Sequence, residues 1–358
     1  MHEIDLDLEP NEASDLCPLT SGWALEANGW DLAFVTVLDE TAAEESIAVL
    51  GHAAGAPPHS GWSARRVPTT PQGPTQRTED AEACATRDGW LYALGSQFGK
   101  KSGPLSPRRS WIARLREDEL ASALAGGPPP RLEIVRLRFG LHRAVNDALA
   151  ETALELIELG PESREAYIEA TIERGERKSK RWAGRVRHGD HPINVEGAEF
   201  RGNGNLLLGL RYPVSADGCP LLVELEDVDA LFDDPGSAPV CRNVWVLTGA
   251  GSIAEPRGVR ALEVRPGDRF DAIVGNLDAA EKGATLLSDH PQGHRSDSVH
   301  VRFSLPLVAG GGATPVEQVH EFDDATKRIE GIAHGPDDHT YYVIDEDGRV
   351  GLRAMLLD

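Results

Sequence analysis

Short apolar runs, each ended by a turn and followed by a second apolar run, recur five times along the chain. In the third copy, Val195-Glu-Gly-Ala-Glu-Phe leads through Arg201-Gly-Asn-Gly into Asn205-Leu-Leu-Leu-Gly-Leu. Apolar runs of this length, bounded by Gly and Asn, are typical of strands joined by tight turns. A repeated unit of strand, turn and strand is how one blade of a β-propeller begins. The pattern therefore predicts an all-β fold, a single β-propeller domain over residues 1–358 with four-stranded antiparallel blades.

Five blades are favoured over six. The strand that opens each blade is predicted at residues 22–27, 81–86, 195–201, 259–264 and 329–334. Residues 284–287 are assigned to the third strand of the fourth blade. Residues 316–322 also have a strand-like pattern but no place in these blades, so a sixth, partial blade is possible.

The last predicted blade is one strand short, and the N-terminal segment supplies a candidate. Ile4-Asp-Leu-Asp-Leu alternates apolar and acidic residues, as a strand with one solvent-facing side does. We expect residues 4–8 to pair beside the strand at 350–357. Strands from both ends of the chain would then close the ring and remove an exposed edge.

A helical insertion is predicted at residues 141–182, between blades two and three. This stretch is rich in Ala, Glu, Leu, Arg and Lys, which favour helices. Val145, Leu149 and Leu154 follow a helical stripe, and Pro161 separates this first helix from a second, more charged one. The hairpin could be a loop elaboration packed on one face, a lid over the central channel or a partner-docking element.

Composition and charge narrow the choice of partners and compartment. The 358 residues include 36 Lys and Arg against 58 Asp and Glu, a formal net charge of −22. This charge disfavours nucleic acid and anionic membrane surfaces as partners. The acidic N-terminus is not a signal peptide, no apolar run has the length of a membrane span, and the four cysteines are scattered. We therefore expect a cytoplasmic protein whose partner is a small molecule or another protein.

Aligning the five repeats on their small residue brings five positions to one equivalent place. These are Ser21, Glu82, Glu196, Arg257 and Glu330. The first strand of each blade lines the central channel of a propeller, so these side chains are predicted to converge there. Three carboxylates on one axis need a positive neighbour, which Arg257 or a bound Ca²⁺ or Mg²⁺ could provide. Glu82, Glu196 and Glu330 are thus candidate metal ligands, unless each only accepts backbone N–H bonds that tie neighbouring blades together.

Four further polar residues are candidates for ligand binding. Asp80 and Asn194 lie just upstream of the aligned glutamates and add oxygen atoms near the same rim. Arg211 and Asn276 end second strands, where the chain leaves the blade. Loops at one end of a rigid scaffold are common places for binding groups.

Several of these segments resemble the DUF3616 family of bacterial proteins. They are Asn194-Val-Glu-Gly-Ala-Glu-Phe with Leu206-Leu-Leu-Gly-Leu-Arg-Tyr-Pro, Gly258-Val-Arg-Ala-Leu-Glu and Arg328-Ile-Glu-Gly-Ile-Ala, in order from about residue 80 to the C-terminus. The resemblance implies a propeller and no particular activity. The Glu-Gly dipeptides are also similar to those of phytase-like esterase and lactonase propellers, which implies that a glutamate can ligate a divalent ion.

Two functions of different class follow. The first is a ligand-binding or protein-interaction propeller without catalysis. The second is a divalent-metal-dependent hydrolase of an ester, lactone or phosphoester, with its site at the central channel. A metal ion held by the three glutamates would polarise the scissile group and lower the pKa of a bound water.

Overall fold

The described residues form five sheets, of which three are wholly antiparallel and two carry one parallel outer strand. The structure is a computed structural model that describes residues 3–8, 11–72, 77–234, 236–278, 283–295, 297–306, 310–322, 328–336, 338–346 and 349–357. Its first strand, β1 (Ile4–Leu6), belongs to the fifth sheet.

Each sheet runs from an inner strand outward. Sheet 1 contains β2 (Ala13–Pro18), β3 (Trp30–Leu38), β4 (Ile47–Ala53) and β5 (Trp62–Arg66). Sheet 2 contains β7 (Ala81–Arg87), β8 (Trp90–Gly95), β9 (Trp111–Arg116) and β10 (Arg131–Arg136), with β6 (Thr70–Pro71) added in parallel outside β10. Sheet 3 contains β11 (Asn194–Phe200), β12 (Leu206–Tyr212), β13 (Leu221–Glu226) and β14 (Val240–Thr248), with β18 (Gly312–Pro315) added in parallel outside β14.

The last two sheets follow the same plan. Sheet 4 contains β15 (Gly258–Arg265), β16 (Arg269–Gly275), β17 (Val299–Ser304) and β19 (Glu317–Glu321). Sheet 5 contains β20 (Arg328–His334), β21 (His339–Glu346) and β22 (Arg349–Leu356), followed by β1. The strand at 316–322, which left a sixth blade possible, is therefore the outer strand of sheet 4.

The inner strands contact one another in cyclic order. β2 contacts β7, β7 contacts β11, β11 contacts β15, β15 contacts β20, and β20 contacts β2. Apolar side chains fill the spaces between adjacent sheets, and the four cysteines are buried and free. A mostly β chain with sheets arranged around one axis has an architecture of the β-propeller type.

The predicted pairing of the two ends of the chain is confirmed. β1 runs antiparallel to β22, with Ile4 opposite Leu352 and Leu6 opposite Val350. Leu6 and Leu8 are buried in the core beneath this edge, as the alternation of apolar and acidic residues indicated.

Two predicted strands are helical. Residues 22–27 lie in the helix α1 (Gly22–Asn28), and the inner strand of sheet 1 is β2 instead. The Ser21 hydroxyl accepts a bond from the Ala24 N–H at 3.4 Å, and Gly29 ends the helix with φ 69°. This N-cap and C-cap pair is a helix signal that the strand assignment overlooked. Residues 284–287 belong mostly to the short helix Thr285–Asp289, because an apolar pair such as Leu286-Leu287 fits either element.

The predicted helical insertion is present between sheets 2 and 3. Its first helix, Gly140–Glu151, packs against β14, with Val145 and Leu149 buried. Leu154, predicted on the same helical stripe, lies beyond the end of the helix and is partly buried, because the helix stops at its C-cap, Thr152. A second helical segment consists of Pro161–Ser163, Arg164–Glu169 with wider π turns, and Ala170–Arg177.

The second segment of the insertion supports the loop that follows β8. The Tyr167 hydroxyl donates to the Lys101 carbonyl at 2.6 Å, and the Leu105 N–H donates to Thr171 Oγ1 at 2.9 Å. The remaining helices are short: Ala43–Glu45, Glu117–Leu124, Ala183–Arg185 and Ala230–Asp233. None of the helices in the described ranges is both long and apolar enough to cross a bilayer.

Candidate functional site

A β-bulge interrupts the inner strands of sheets 2 to 5 at the same place. In sheets 2 to 5 the residue without a cross-strand partner is charged: Glu82, Glu196, Arg260 and Glu330. A bulge leaves one residue out of the ladder and redirects its side chain. All four redirected side chains line one cavity of about 380 Å³ at the centre of the five inner strands.

A small residue follows each bulged residue because the inner strands crowd together. These residues are Ala83, Gly197, Ala261 and Gly331. A Cβ added to Gly331 would lie 2.9 Å from the Asp15 carbonyl carbon on the neighbouring strand. One added to Gly197 would lie 3.1 Å from Leu262 Cβ. In the repeated Glu-Gly pattern, the glutamate side chain thus lines the cavity, and the glycine allows the neighbouring inner strand to pack closely.

Arg260 neutralises the carboxylates of two neighbouring sheets. Its Nε lies 2.9 Å from Glu196 Oε2 and 3.1 Å from Glu330 Oε2, and its Nη2 also contacts Glu330. Burial disfavours the charge of Arg260, but Glu196 and Glu330 outweigh it and hold its pKa above the usual value. This guanidinium therefore stays charged within the cavity wall.

Arg211 and Asn276 extend this network. Arg211 Nη1 donates to Glu196 Oε1 at 2.7 Å, and its Nε donates to the Asn276 carbonyl at 3.2 Å. Asn276 Oδ1 accepts from Arg260 Nη1 at 3.2 Å. Asn194 Nδ2 donates to the same Glu196 oxygen at 3.0 Å. Donors and acceptors on this side of the cavity are therefore fixed by one another.

Three further carboxylates of the cavity, Asp39, Asp80 and Glu82, form a cluster that we call the acidic corner. One oxygen of each lies within 4.8 Å of the others. Arg109 Nη1 lies 2.7 Å from Asp80 Oδ1, and the Ser96 hydroxyl donates to the other Asp80 oxygen. Among the described residues, the acidic corner is thus paired with one cation, Arg109, against three acidic groups.

The acidic corner holds protons more readily than free carboxylates do. Burial, followed by the charges of Asp39 and Asp80, raises the pKa of Glu82 well above its ordinary value. Burial also raises the pKa of Asp39 and of Asp80, in the latter case against the opposing charge of Arg109. A divalent cation would remove this mutual repulsion and favour the ionised forms.

A second group of acids lies on the same inner strands but binds backbone. Asp15 Oδ2 accepts the Cys84 N–H of the next sheet at 3.1 Å. Glu199 and Glu263 likewise accept backbone N–H bonds, including those of Val264 and His334 on the adjacent inner strands. Burial raises the pKa of all three, that of Glu199 to about 8. The sequence left open that Glu82, Glu196 and Glu330 only accept backbone N–H bonds from a neighbouring sheet. In the structure Asp15, Glu199 and Glu263 make these bonds.

Most of the predicted site residues meet at the cavity. Its lining includes Asp80, Glu82, Asn194, Glu196, Arg211 and Glu330, and Asn276 contacts the lining through Arg211 and Arg260.

Two predicted residues lie elsewhere. Ser21 caps α1, and Arg257 precedes β15, where its Nη2 lies 3.4 Å from Glu255. The alignment on Gly258 was three residues out of register. The pattern of apolar, charged, small and apolar residues in Val259-Arg-Ala-Leu matches Ile329-Glu-Gly-Ile and identifies Arg260. In sheet 1 the inner strand contributes Ser14, whose hydroxyl donates to Glu82 Oε2 at 3.2 Å.

Asp39 was also missed, although a signal for it was present. It directly follows β3, the second strand of sheet 1, just as Ser96 and Asn276 follow the second strands of sheets 2 and 4. The same signal, a polar residue where the second strand ends, pointed to Arg211 and Asn276 but was not applied to the first repeat.

The acidic corner has the chemistry of a hard-cation site. All its donors are carboxylate oxygens, which Ca²⁺ and Mg²⁺ prefer. Asn194, 8% exposed and lining the same cavity, has an Oδ1 atom without a hydrogen-bond partner among the described residues. Of the three predicted metal ligands, only Glu82 belongs to this corner, because Arg260 already neutralises Glu196 and Glu330.

Comparison with known proteins gives likenesses of fold at low identity. No family model matches the chain, and no curated protein matches it. An exo-1,5-α-L-arabinanase from a bovine ruminal metagenomic library is 11% identical, with 98% of this chain and 94% of that chain covered and a TM-score of 0.39. A protein of unknown function from Dyadobacter fermentans is 12% identical, with 100% and 82% covered and a TM-score of 0.40. The WD40 β-propeller domain of Doa1 is 9% identical, with 98% and 96% covered and a TM-score of 0.36. Likenesses this distant carry no argument about activity.

Proposed function

We propose that the five sheets are the five blades of one propeller and that the protein binds a small polar ligand in its central cavity. The observation that carries this proposal is the repeated bulge, which directs a charged side chain from each of four sheets into one cavity. Each bulge interrupts the backbone hydrogen bonds between two strands, so a purely structural core gains nothing from repeating it at the same place in successive sheets.

The lining indicates the chemistry of the ligand. Glu196 and Glu330 present acceptors, while Arg211 and Arg260 present guanidinium donors in fixed positions. Lys100, which is exposed at the cavity, adds a further cation. Such a lining suits a small molecule that both donates and accepts several hydrogen bonds, and it suits an apolar ligand poorly.

Thermal unfolding in the presence of a panel of amino acids, hydroxy acids and sugars tests this proposal. A ligand that binds only the folded state at about 100 times its Kd should add about 2.7 kcal/mol to the unfolding free energy. We expect Arg211→Gln to abolish the increase in melting temperature. Arg242→Gln, which removes an exposed arginine paired with Glu226 near the start of β14 and outside the cavity lining, is the matched control and should retain the increase. An increase that survives both Arg211→Gln and Glu330→Gln would place the ligand outside the cavity and contradict the proposal.

A second candidate function is a divalent-metal-dependent hydrolase of an ester, lactone or phosphoester. The acidic corner and the unpartnered Asn194 Oδ1 favour it specifically. A bound divalent ion would act as a Lewis acid and acidify a coordinated water. In this proposal Asp39, Asp80 and Glu82 hold the ion, Arg109 and Ser96 orient Asp80, and Arg211 and Arg260 bind the anionic part of the substrate.

Metal removal and readdition tests the second candidate. After treatment with a chelator, millimolar Ca²⁺ or Mg²⁺ should raise the melting temperature of the unmodified protein. We expect Glu82→Gln to lose this response, because it removes a charged ligand from the acidic corner. Glu162→Gln, at an exposed position of the helical insertion, should retain it. If neither ion raises the melting temperature of the unmodified protein, the hydrolase proposal is contradicted. Ligand binding without a metal ion then remains the proposed function of the cavity.

A further inference from the structure

A cluster of cations on the outer surface contrasts with the acidity of the chain. Between residues 174 and 187 the sequence has seven Lys or Arg residues and one Glu, whereas the chain as a whole has a net charge of −22. Six cations from two separate parts of the chain line a groove of about 520 Å³, which we call the basic groove. They are Arg136, Arg138, Arg174, Lys178, Lys180 and Arg181. No Asp or Glu is among its lining residues.

The cations of the basic groove lack carboxylate partners. Within the described ranges none of the six has a carboxylate oxygen within 4.0 Å, while the nearby Arg177 pairs with Glu173 and Arg108 with Glu79. Burial, followed by the positive charges of Arg138 and Arg108, lowers the pKa of Arg136. Its Nε atom is buried without a hydrogen-bond partner. The groove thus holds mutually repelling charges, and at Arg136 the opposing charge of Glu79 is weaker than the combined effect of burial and the neighbouring arginines.

Buried side chains fix the backbone that carries these cations. Leu137 and Phe139 are buried on either side of Arg138, and Trp182, next to Arg181, packs edge to face on Phe139 with ring centroids 4.9 Å apart. Arg136 is anchored through the Arg77 and Pro107 carbonyls at 2.6 and 2.7 Å. The helix ending at Arg177 favours cations near its last turn, but this cannot account for Arg136 and Arg138, which come from the end of β10 and the segment after it.

We propose that the basic groove binds a small molecule with clustered phosphate groups. Guanidinium groups pair with phosphate oxygens in a bidentate geometry, and the groove volume is within the range of small-molecule sites. The net charge of −22 repels large polyanions such as nucleic acid at long range, whereas a small anion experiences mainly the local field, since charges are screened within about 8–10 Å at ordinary salt. This site is independent of the central cavity and of the function proposed for it.

Titration with inorganic tripolyphosphate in a chelating, low-salt buffer tests the proposal, with binding followed by calorimetry. We expect binding that weakens as salt is added. Lys180→Gln combined with Arg181→Gln, both exposed, should weaken it by about tenfold or more. Arg242→Gln combined with Arg269→Gln removes the same charge from exposed positions outside the groove and should leave the affinity unchanged.

Three results would overturn the proposal. They are no binding of tripolyphosphate, full affinity in the groove variant, and equal losses in the groove and control variants. Full affinity in the groove variant would assign the anion to the arginines of the central cavity instead. If the groove variant does not fold, as judged by its melting curve, Arg174→Gln combined with Lys178→Gln repeats the test. Parallel titrations with a nucleoside triphosphate and with vesicles containing a bisphosphorylated inositol lipid distinguish a free phosphate ligand from a lipid headgroup.

Discussion

At the scale of single residues, the axis of the molecule separates two kinds of acid. Glu196 and Glu330 contact guanidinium groups, whereas Asp15, Glu199 and Glu263 contact mainly backbone N–H groups and lie near one another. A buried carboxyl without a cation is stable only when it keeps its proton. Asp15, Glu199 and Glu263 therefore belong to the framework, whereas Glu82, whose pKa is also raised, lines the cavity.

We predict that Glu199 makes the protein less stable as the pH rises from about 4.5 to 8. Its pKa is about 8 in the folded protein, against about 4.3 for an unperturbed glutamate, so the folded state binds more protons throughout this window. At a pH below the pKa of Glu199 in the unfolded state, the raised pKa contributes its full stabilisation. This stabilisation is lost, by at most about 1.4 kcal/mol per pH unit, as the pH rises towards the pKa of Glu199 in the folded state. Urea unfolding between pH 5 and 8.5 should show this slope reduced in Glu199→Gln.

The comparison between variants removes the titrations that do not depend on Glu199. Burial lowers the pKa of His142 and His300, so the unfolded state binds the extra protons there and stability increases with pH up to about 6.5. That contribution is common to both proteins and cancels in their difference. Glu162→Gln, an exposed control, should keep the slope of the unmodified protein. Parallel curves for Glu199→Gln and the unmodified protein would show that Glu199 is ionised in the folded state.

At the scale of elements, local patterns indicated strands and helices better than they indicated register. The inner strands of sheets 2 to 5 and the helical insertion follow from apolar periodicity and helix propensity, which are local. The helix at 22–28 was missed because its sequence was aligned with the first strands of the other repeats. The segment is Trp23-Ala-Leu-Glu-Ala, a run of helix formers that follows the N-cap Ser21. Repeat alignment identifies equivalent positions only when the reference residue is chosen correctly, and Gly258 was the wrong reference.

The bulges explain why the cavity itself was only partly predictable. Glu82, Glu196 and Glu330 were found because a small residue follows each of them, but their bulged geometry depends on the pairing of two strands. The acidic corner depends on still longer-range packing, since it joins Asp39, just after β3, with Asp80, just before β7 of the next sheet, and Glu82 on β7. Which glutamates are neutralised depends on Arg260, from a third sheet. No local sequence pattern contains this information.

At the scale of the whole molecule, the fifth sheet is built from both ends of the chain. β1 supplies its outer strand, so sheet 5 contains four strands, as sheets 1 and 4 do. Arg353 Nη2 also donates to Glu3 Oε2 at 3.2 Å across the same edge. Because sheets 1 and 5 are neighbours through β2 and β20, this pairing links the first residues of the chain to the last around the central axis.

We predict that deleting residues 1–8 lowers the melting temperature and promotes self-association. The deletion leaves β22 with an unpaired edge, which can pair with another molecule, and it removes the buried side chains of Leu6 and Leu8. Burying a leucine contributes about 1.5–3 kcal/mol, so the two together are a large fraction of the stability of a typical domain. Asp5→Asn combined with Asp7→Asn, at exposed positions of the same segment, should leave both properties unchanged. Scanning calorimetry and size-exclusion chromatography measure the two effects, and a truncated protein that stays monomeric with an unaltered melting temperature would show that the ring does not depend on β1.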